Sequence, residues 1–281
     1  MGIYAVTGSA SGMGKAAADR LRAAGHTVIG VDIRDTDTIA DLSTAQGRRD
    51  AIEQVSAAAG GRLDGAVLAA GVGPGPGRES VIPRVNYLGV VELLQAWRPA
   101  LAASGNAKVV VFSSAGTTTT PLVPRRTVKA VRAGDLDKAV RSVRLLGRRA
   151  APPVIYAATK IALSWWVREQ AVGPEWAGAG IRLNAIAPGG IHTPMLERQL
   201  ASPEEAKLLA AFPVPIGGFG DAAHIGDWVV FMLSDAADFL VGSVVFVDGG
   251  SDAYFRPEAW PNMVPLRGLP RYIHRIREFA R

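Results

Sequence analysis

Gly8, Gly12 and Gly14 lie between an apolar run, Ile3-Tyr4-Ala5-Val6-Thr7, and a helical pattern from Lys15 to about Ala24. A buried strand that must turn into a helix within a few residues needs the backbone freedom of glycine. Glycine also lets the backbone approach a ligand closely, and the free N–H groups at the start of a helix attract an anion. Strand, glycine-rich turn and helix form the first half of a dinucleotide-binding unit, in which that anion is a pyrophosphate. Such a unit commits the chain to a parallel α/β architecture.

The remainder of the chain agrees with that commitment. Thr27–Val31 reads as a second buried strand ending on Asp32, an acid able to accept hydrogen bonds from an adenosine ribose diol and to repel a 2′-phosphate. Asp32 therefore favours NAD over NADP, and Arg34 nearby can soften the repulsion. A helix around 47–58, a strand at Gly65–Ala69 and a Gly/Pro loop at 71–77 come next. A helix over about 80–102, a strand at Lys108–Phe112, a strand at Ile181–Ile186, a helix at 222–233 and a strand at Val244–Val247 complete the alternation. The fold class expected is α/β, a doubly wound parallel seven-stranded sheet of Rossmann type. It forms a single domain over residues 1–255, with a helical insertion at 115–155 and a basic tail at 256–281.

Composition removes several function classes. The 281 residues include no cysteine, which excludes disulfides, thiolate metal sites and a cysteine nucleophile. No run of about 18 apolar residues suggests a membrane span, and the start of the chain lacks signal-peptide character, so a cytoplasmic protein is expected. The net charge of +6 is concentrated. Residues 115–155 hold nine Arg/Lys against two Asp, and residues 252–281 hold six Arg against three acids. Neither stretch has the aromatic interleaving or motif of a nucleic-acid binder, so no nucleic-acid partner is expected. His192 has no second ligand at zinc spacing, and no metal is expected.

Chemistry enters with Tyr156-Ala157-Ala158-Thr159-Lys160. Four residues apart on a helix, the phenol and the ammonium share one face, about 5–6 Å apart at Cβ. A fixed ammonium favours the phenolate, which predicts a lowered Tyr156 pKa suited to proton transfer near neutral pH.

Together these residues resemble the short-chain dehydrogenase/reductase family. The resemblance rests on Thr7-Gly8-x-x-x-Gly12-x-Gly14, Asp32, Ala70-Gly71, Asn86, Ser113-Ser114, Tyr156-x-x-x-Lys160, Pro188-Gly189 and Asp248-Gly249-Gly250. It implies an NAD-dependent oxidoreductase interconverting a secondary alcohol and a ketone. In that reading Tyr156 is the general acid/base, Lys160 lowers its pKa and holds ribose hydroxyls, and Ser114 binds the substrate oxygen. Asn86 helps to hold a water linking Lys160 to solvent. The cofactor would meet Gly8, Ser11, Gly12, Met13 and Gly14 at the pyrophosphate, Asp41 and Leu42 at adenine, and Thr193 at the carboxamide. Ala70, Gly71, Pro188, Gly189 and Ile191 complete its expected contacts. Ser113 is the weaker of the two serines, since neighbouring strand-end side chains point to opposite sides.

Two departures qualify the resemblance. The usual Asn-Asn-Ala-Gly is Leu68-Ala69-Ala70-Gly71, and 42 residues separate Ser114 from Tyr156 where the family commonly has about a dozen. The long gap, with an expected helix from Asp135 to Arg148, and the segments at 25–35 and 39–45 are similar to the 3α-hydroxysteroid dehydrogenase/carbonyl reductase branch. That branch implies steroid-like, alicyclic or xenobiotic substrates; the alternatives are a terpenoid or acyl-chain alcohol dehydrogenase of the same family, or a non-catalytic dinucleotide-sensing regulator, which would typically lack Ser114, Tyr156 or Lys160. It also implies a homodimer or homotetramer paired through a surface other than the usual helix face. Expected walls of the substrate pocket are Trp165, Met195, Leu196, Leu200, Phe212 and Phe219, the tryptophans Trp165 and Trp166 being more often core. In the tail, Tyr272, Ile276 and Phe279 predict a short amphipathic helix. The favoured reading packs it on its own or a neighbouring subunit, with no membrane partner. The sharper reading makes it a membrane-surface or lid helix.

Overall fold

The computed structural model describes residues 1–261 and 263–279. In chain order the elements are β1 (Ile3–Thr7), α1 (Gly12–Ala23), β2 (Thr27–Asp32), β3 (Thr38–Ile39), α2 (Ala45–Ala59), β4 (Gly65–Leu68), α3 (Val81–Pro83), α4 (Gly89–Ala102) and β5 (Ala107–Phe112). The insertion contributes α5 (Gly116–Thr119), α6 (Arg125–Arg132) and α7 (Leu136–Val143), and α8 (Gly147–Gln170) comes after it. Then come β6 (Ile181–Pro188), β7 (Ile191–His192), α9 (Pro194–Leu200), α10 (Pro203–Ala210), β8 (Gly220–Asp221), α11 (Ala222–Leu233), β9 (Val244–Val247), α12 (Ser251–Phe255) and α13 (Leu269–Phe279).

Seven strands pair in parallel in the order β3-β2-β1-β4-β5-β6-β9. Alternate residues of one strand enter opposite core layers, as the two-residue period of a strand requires. Ala5, Val109 and Val111 face the layer filled from α2, α4 and α8 by Val55, Leu93, Leu94, Trp97 and Ile155. Val6, Val110 and Phe112 face the layer filled from α1 and α11 by Leu21, Ile225, Val229 and Met232. Strand order reverses between β1 and β4, so a crevice opens beyond their C-terminal ends.

β3 is only two residues long, too short to leave a periodic signal in the sequence. The helix expected over 80–102 is interrupted. A π-helical turn at Arg84–Leu88 separates α3 from α4, next to Pro83, whose ring nitrogen has no hydrogen to donate.

The insertion also differs from expectation. A helix from Asp135 to Arg148 is replaced by α7, which Asp135 caps by accepting from Lys138 N at 3.0 Å. Gly147, at φ 78°, ends a 3₁₀ turn and opens α8. α6 is an additional helix, separated from α7 by Gly134 at φ 72°. α8 starts nine residues before Tyr156 and tolerates Pro152 and Pro153 within its first two turns, where few carbonyls depend on them. Val128, Val131, Ala139 and Val143 of the insertion join Ala151, Val154 and Ile155 of α8 in one buried cluster. The insertion therefore covers α8.

Candidate active site

Two groups of residues meet at the C-terminal edge of the sheet. The first surrounds the glycine turn, where the local conformation dictates the residue type. Gly8 and Gly12 have φ of 72° and 55°, in the left-handed region that side chains disfavour. A Cβ on Gly14 would lie 2.2 Å from the Gly8 carbonyl oxygen, so α1 can pack against β1 only with glycine there. Ser11 caps α1 without a side-chain hydrogen bond, and the first-turn N–H groups of α1 lie beside a cleft of about 450 Å³.

That cleft is lined by Gly8, Ser11, Gly12, Met13, Gly14, Asp32, Asp41, Leu42, Ala70, Gly71 and Thr193 from the expected set. Asp32 is anchored beside the turn, accepting from Ala10 N at 3.0 Å and from Ile33 N at 2.7 Å. The Leu42 carbonyl accepts from the buried Arg48 guanidinium at 3.1 Å, and Arg48 Nε reaches Glu92 at 2.6 Å. This ion pair ties the loop at the cleft wall to α4. Ala70 N donates to the Thr7 hydroxyl at 3.1 Å, so the turn after β4 is held to β1 although Leu68 and Ala69 lack polar side chains.

Thr193 caps α9 through Leu196 N and donates to the Ile191 carbonyl at 3.2 Å. α9 crosses to the far wall, where Met195 Sδ lies 2.8 Å from the position of a Cβ on Gly73. Arg34, Arg78 and Arg198 add positive charge to the lining, a field that favours an anionic ligand. Sequence reasoning missed Arg48, Arg78 and Arg198, because an arginine on a polar helix or loop carries no signal of what it reaches.

The second group is at the end of β5. Ser114 and Tyr156 flank Gly116: the Ser114 hydroxyl accepts from Gly116 N at 3.1 Å, and a Cβ on Gly116 would sit 3.3 Å from Ser114 Oγ and 3.7 Å from the Tyr156 ring. Ser113 points the other way, its hydroxyl 2.7 Å from that of Ser164 in the core. Lys160 is buried, donates to the Phe112 carbonyl at 2.6 Å and lies 5.9 Å from the centre of the Tyr156 ring. Burial pulls its ammonium down to about 8.

The pKa direction expected for Tyr156 is corrected. Burial pushes its phenol above the ordinary value, against the opposing pull of the nearby Ser114 hydroxyl. Lys160 spends its ammonium on Phe112, and desolvation outweighs it. Asn86, fully buried on the π-helical turn, accepts from Val72 N at 2.8 Å and donates to Val72 O at 3.0 Å. Its side chain thus fixes the loop after β4.

Other expected contacts lie beside the cleft and outside its lining. The Pro188 carbonyl accepts from Ala115 N at 2.9 Å, and Gly189 N donates to the Val247 carbonyl at 3.0 Å. Ile191 borders a second cavity of about 320 Å³ with Phe219 and Val247. Among the expected pocket walls, Met195 lines the cleft, Leu196 is buried, Leu200 is half-buried and Phe212 meets Phe255 at 5.6 Å between ring centres, the rings tilted by 48°. Trp165 does not belong to the pocket or to the core. It is 41% exposed, with Arg132 6.0 Å from its ring, while Trp166 packs edge-on against Trp176. One residue of helical rotation separates the two.

A nicotinamide dinucleotide fits the first group on its own terms. The glycine cradle, free helix N-terminus, cleft-lining Asp32 and arginine-lined cleft are the donors and acceptors such a molecule requires.

Comparison with known proteins agrees with this geometry. The family model described as enoyl-(acyl carrier protein) reductase matches residues 140–252. The 3α-hydroxysteroid dehydrogenase/carbonyl reductase of Comamonas testosteroni is 38% identical over 257 residues, covering 92% of this chain and 99% of its own length. The 3α-hydroxysteroid dehydrogenase of Pseudomonas sp. B-0831, solved with NADH, is 37% identical with a TM-score of 0.85, and 92% of this chain covers all of it. A gluconate 5-dehydrogenase candidate from Beutenbergia cavernae, solved with NADP at low occupancy, is 27% identical with a TM-score of 0.70. It matches over 89% of this chain and 96% of its own.

Proposed function

Because this chain belongs to the short-chain dehydrogenase/reductase family, we propose that it interconverts a secondary alcohol and a ketone with NAD(H), on steroid-like, alicyclic or xenobiotic substrates. The observation that carries the reading is the Ser114–Tyr156 hydroxyl pair, with buried Lys160 beside it, at the strand end next to the glycine cleft. When bound, the dinucleotide supplies the hydride donor or acceptor.

The protein's own residues supply orientation and a proton. In reduction Tyr156 gives its proton to the carbonyl oxygen, and in oxidation it removes the hydroxyl proton. A phenol held protonated by burial suits the reducing direction at neutral pH. Ser114 donates to the same oxygen where negative charge develops. In this reading Lys160, whose ammonium burial pulls down to about 8, restores the Tyr156 proton and holds ribose hydroxyls. Gly8, Gly12 and Gly14 with the start of α1 hold the pyrophosphate, and Asp32 holds the adenosine ribose. NAD is favoured because Asp32 faces the cleft while Arg34 already has an acidic neighbour, Asp35, at 3.7 Å. Aromatic Phe212 and Phe255, close to α5 through α12, suit an apolar ring compound.

The test is a dehydrogenase screen of the purified protein with NAD⁺ over steroid, terpenoid and acyclic alcohols, repeated for Tyr156→Phe. Turnover should appear on cyclic alcohols and vanish in the variant while NADH still binds. A variant with near-normal rate sinks the mechanism, and tighter binding of NADPH than NADH sinks the cofactor assignment.

A further inference from the structure

We propose that α13 docks on an anionic lipid surface. Leu269, Tyr272, Ile273, Ile276 and Phe279 recur at helical spacing and form an apolar stripe roughly 120° wide at 3.6 residues per turn. All five are exposed, from 40% at Ile273 to 93% at Phe279. Among the described residues the body of the same chain therefore leaves the stripe largely uncovered, whereas the favoured sequence reading packs it on its own or a neighbouring subunit. The apolar character extends upstream through Trp260, Met263, Val264 and Leu266, which are also exposed.

Charge selects the occupant. At 100° per residue Arg275 and Arg277 fall on opposite borders of the stripe, while Arg271, His274 and Glu278 fall on the far face. The acid is already engaged there, Glu278 Oε1 lying 3.2 Å from His274 Nε2. Residues 266–279 thus offer four arginines against one carboxylate held away from the apolar side. Arginine stems on both borders can lie along an apolar layer while their guanidinium groups reach phosphate oxygens on either side. That pattern matches a surface of one sign with an apolar interior. The surface of a second copy mixes signs, with arginine and lysine paired to Asp and Glu across it.

The test uses the full-length protein, sedimented with vesicles of phosphatidylcholine alone and of phosphatidylcholine with phosphatidylglycerol in equal parts. Partition into anionic vesicles should exceed that into neutral ones by at least about tenfold and weaken with salt. Arg275→Glu/Arg277→Glu should lower it by about tenfold or more, and Ile273→Asp/Ile276→Asp should lower it similarly. Both variants should bind NADH as the parent does, and Arg125→Glu/Arg148→Glu in the insertion should leave partition unchanged. Absence of sedimentation, equal sedimentation with neutral vesicles, or loss in the insertion variant alone overturns the proposal. So does a fall in mass by light scattering in the tail variants without vesicle binding by the parent, which assigns the stripe to a second copy.

Discussion

Replacing Lys160 with methionine separates what burial of this ammonium costs from what its charge does. The side chain is 4% exposed, holds the Phe112 carbonyl at 2.6 Å, and has its pKa pulled from 10.5 to about 8 by burial. A folded value below the unfolded one means that between the two the unfolded chain binds more protons, so stability rises with pH. Below about 8 both states keep the proton, and the buried charge costs its full penalty. The gap from 10.5 to about 8 corresponds to about 3 kcal/mol. Raising the pH from ~7 to ~9.5 returns about 2 kcal/mol of that to the parent protein. Tyr4, Tyr87 and Tyr156 all have raised pKa values and stay protonated over this range.

Lys160→Met keeps an unbranched apolar stem and removes the titration. At pH ~7 relief of about 3 kcal/mol is opposed by about 1–3 kcal/mol for the buried Phe112 carbonyl left without its donor. The variant should unfold at a urea concentration equal to or above that of the parent there, and lose about 2 kcal/mol relative to it by pH ~9.5. Urea unfolding at both pH values, with turnover assayed alongside, measures the effect. Turnover should be lost at either pH. Parallel pH profiles for the two proteins would refute the argument, because Lys160 would then not be titrating near 8.

Gly14→Ala places a methyl 2.2 Å from the Gly8 carbonyl oxygen, with only backbone to yield. A loss of about 3 kcal/mol and at least tenfold weaker NADH binding are expected, read by thermal melting and NADH fluorescence. Asn86→Ala strips both backbone groups of Val72 of their buried partner. It should cost about 2–4 kcal/mol in urea unfolding, and a neutral result would contradict the anchoring role. Trp165→Ala should leave kcat/KM within about twofold of the parent and cost under ~1 kcal/mol, since the residue is 41% exposed and Arg132 lies 6.0 Å from its ring near solvent.

The parts of the site legible in the sequence are those a short segment determines alone. A strand, a glycine turn and a helix must form one unit, so Gly8, Gly12, Gly14 and Asp32 could be placed before any tertiary contact was known. The same holds for Thr193, an N-cap before Pro194. Residues whose role depends on a distant neighbour were not legible. Arg48 looked like one more cation on a polar helix until the fold set it between the Leu42 carbonyl and Glu92. Asn86 could be named by resemblance, but its grip on Val72 comes from the π-helical turn that Pro83 and the packing around it impose.

Sequence by itself determined the α/β class, the parallel order of strands and helices, and the segment that holds the proton-transfer pair. Periodicity and turn chemistry act over a few residues, and a chain carries them wherever it goes. Only the tertiary structure decided the rest. It split the insertion at Gly134 and Gly147, turned Trp165 outward and Trp166 inward, and left the stripe on α13 uncovered. It also reversed the pKa direction of Tyr156. Spacing brings an ammonium to a phenol, but the depth at which both are buried and the carbonyl that Lys160 finds there set the balance of charge and solvation.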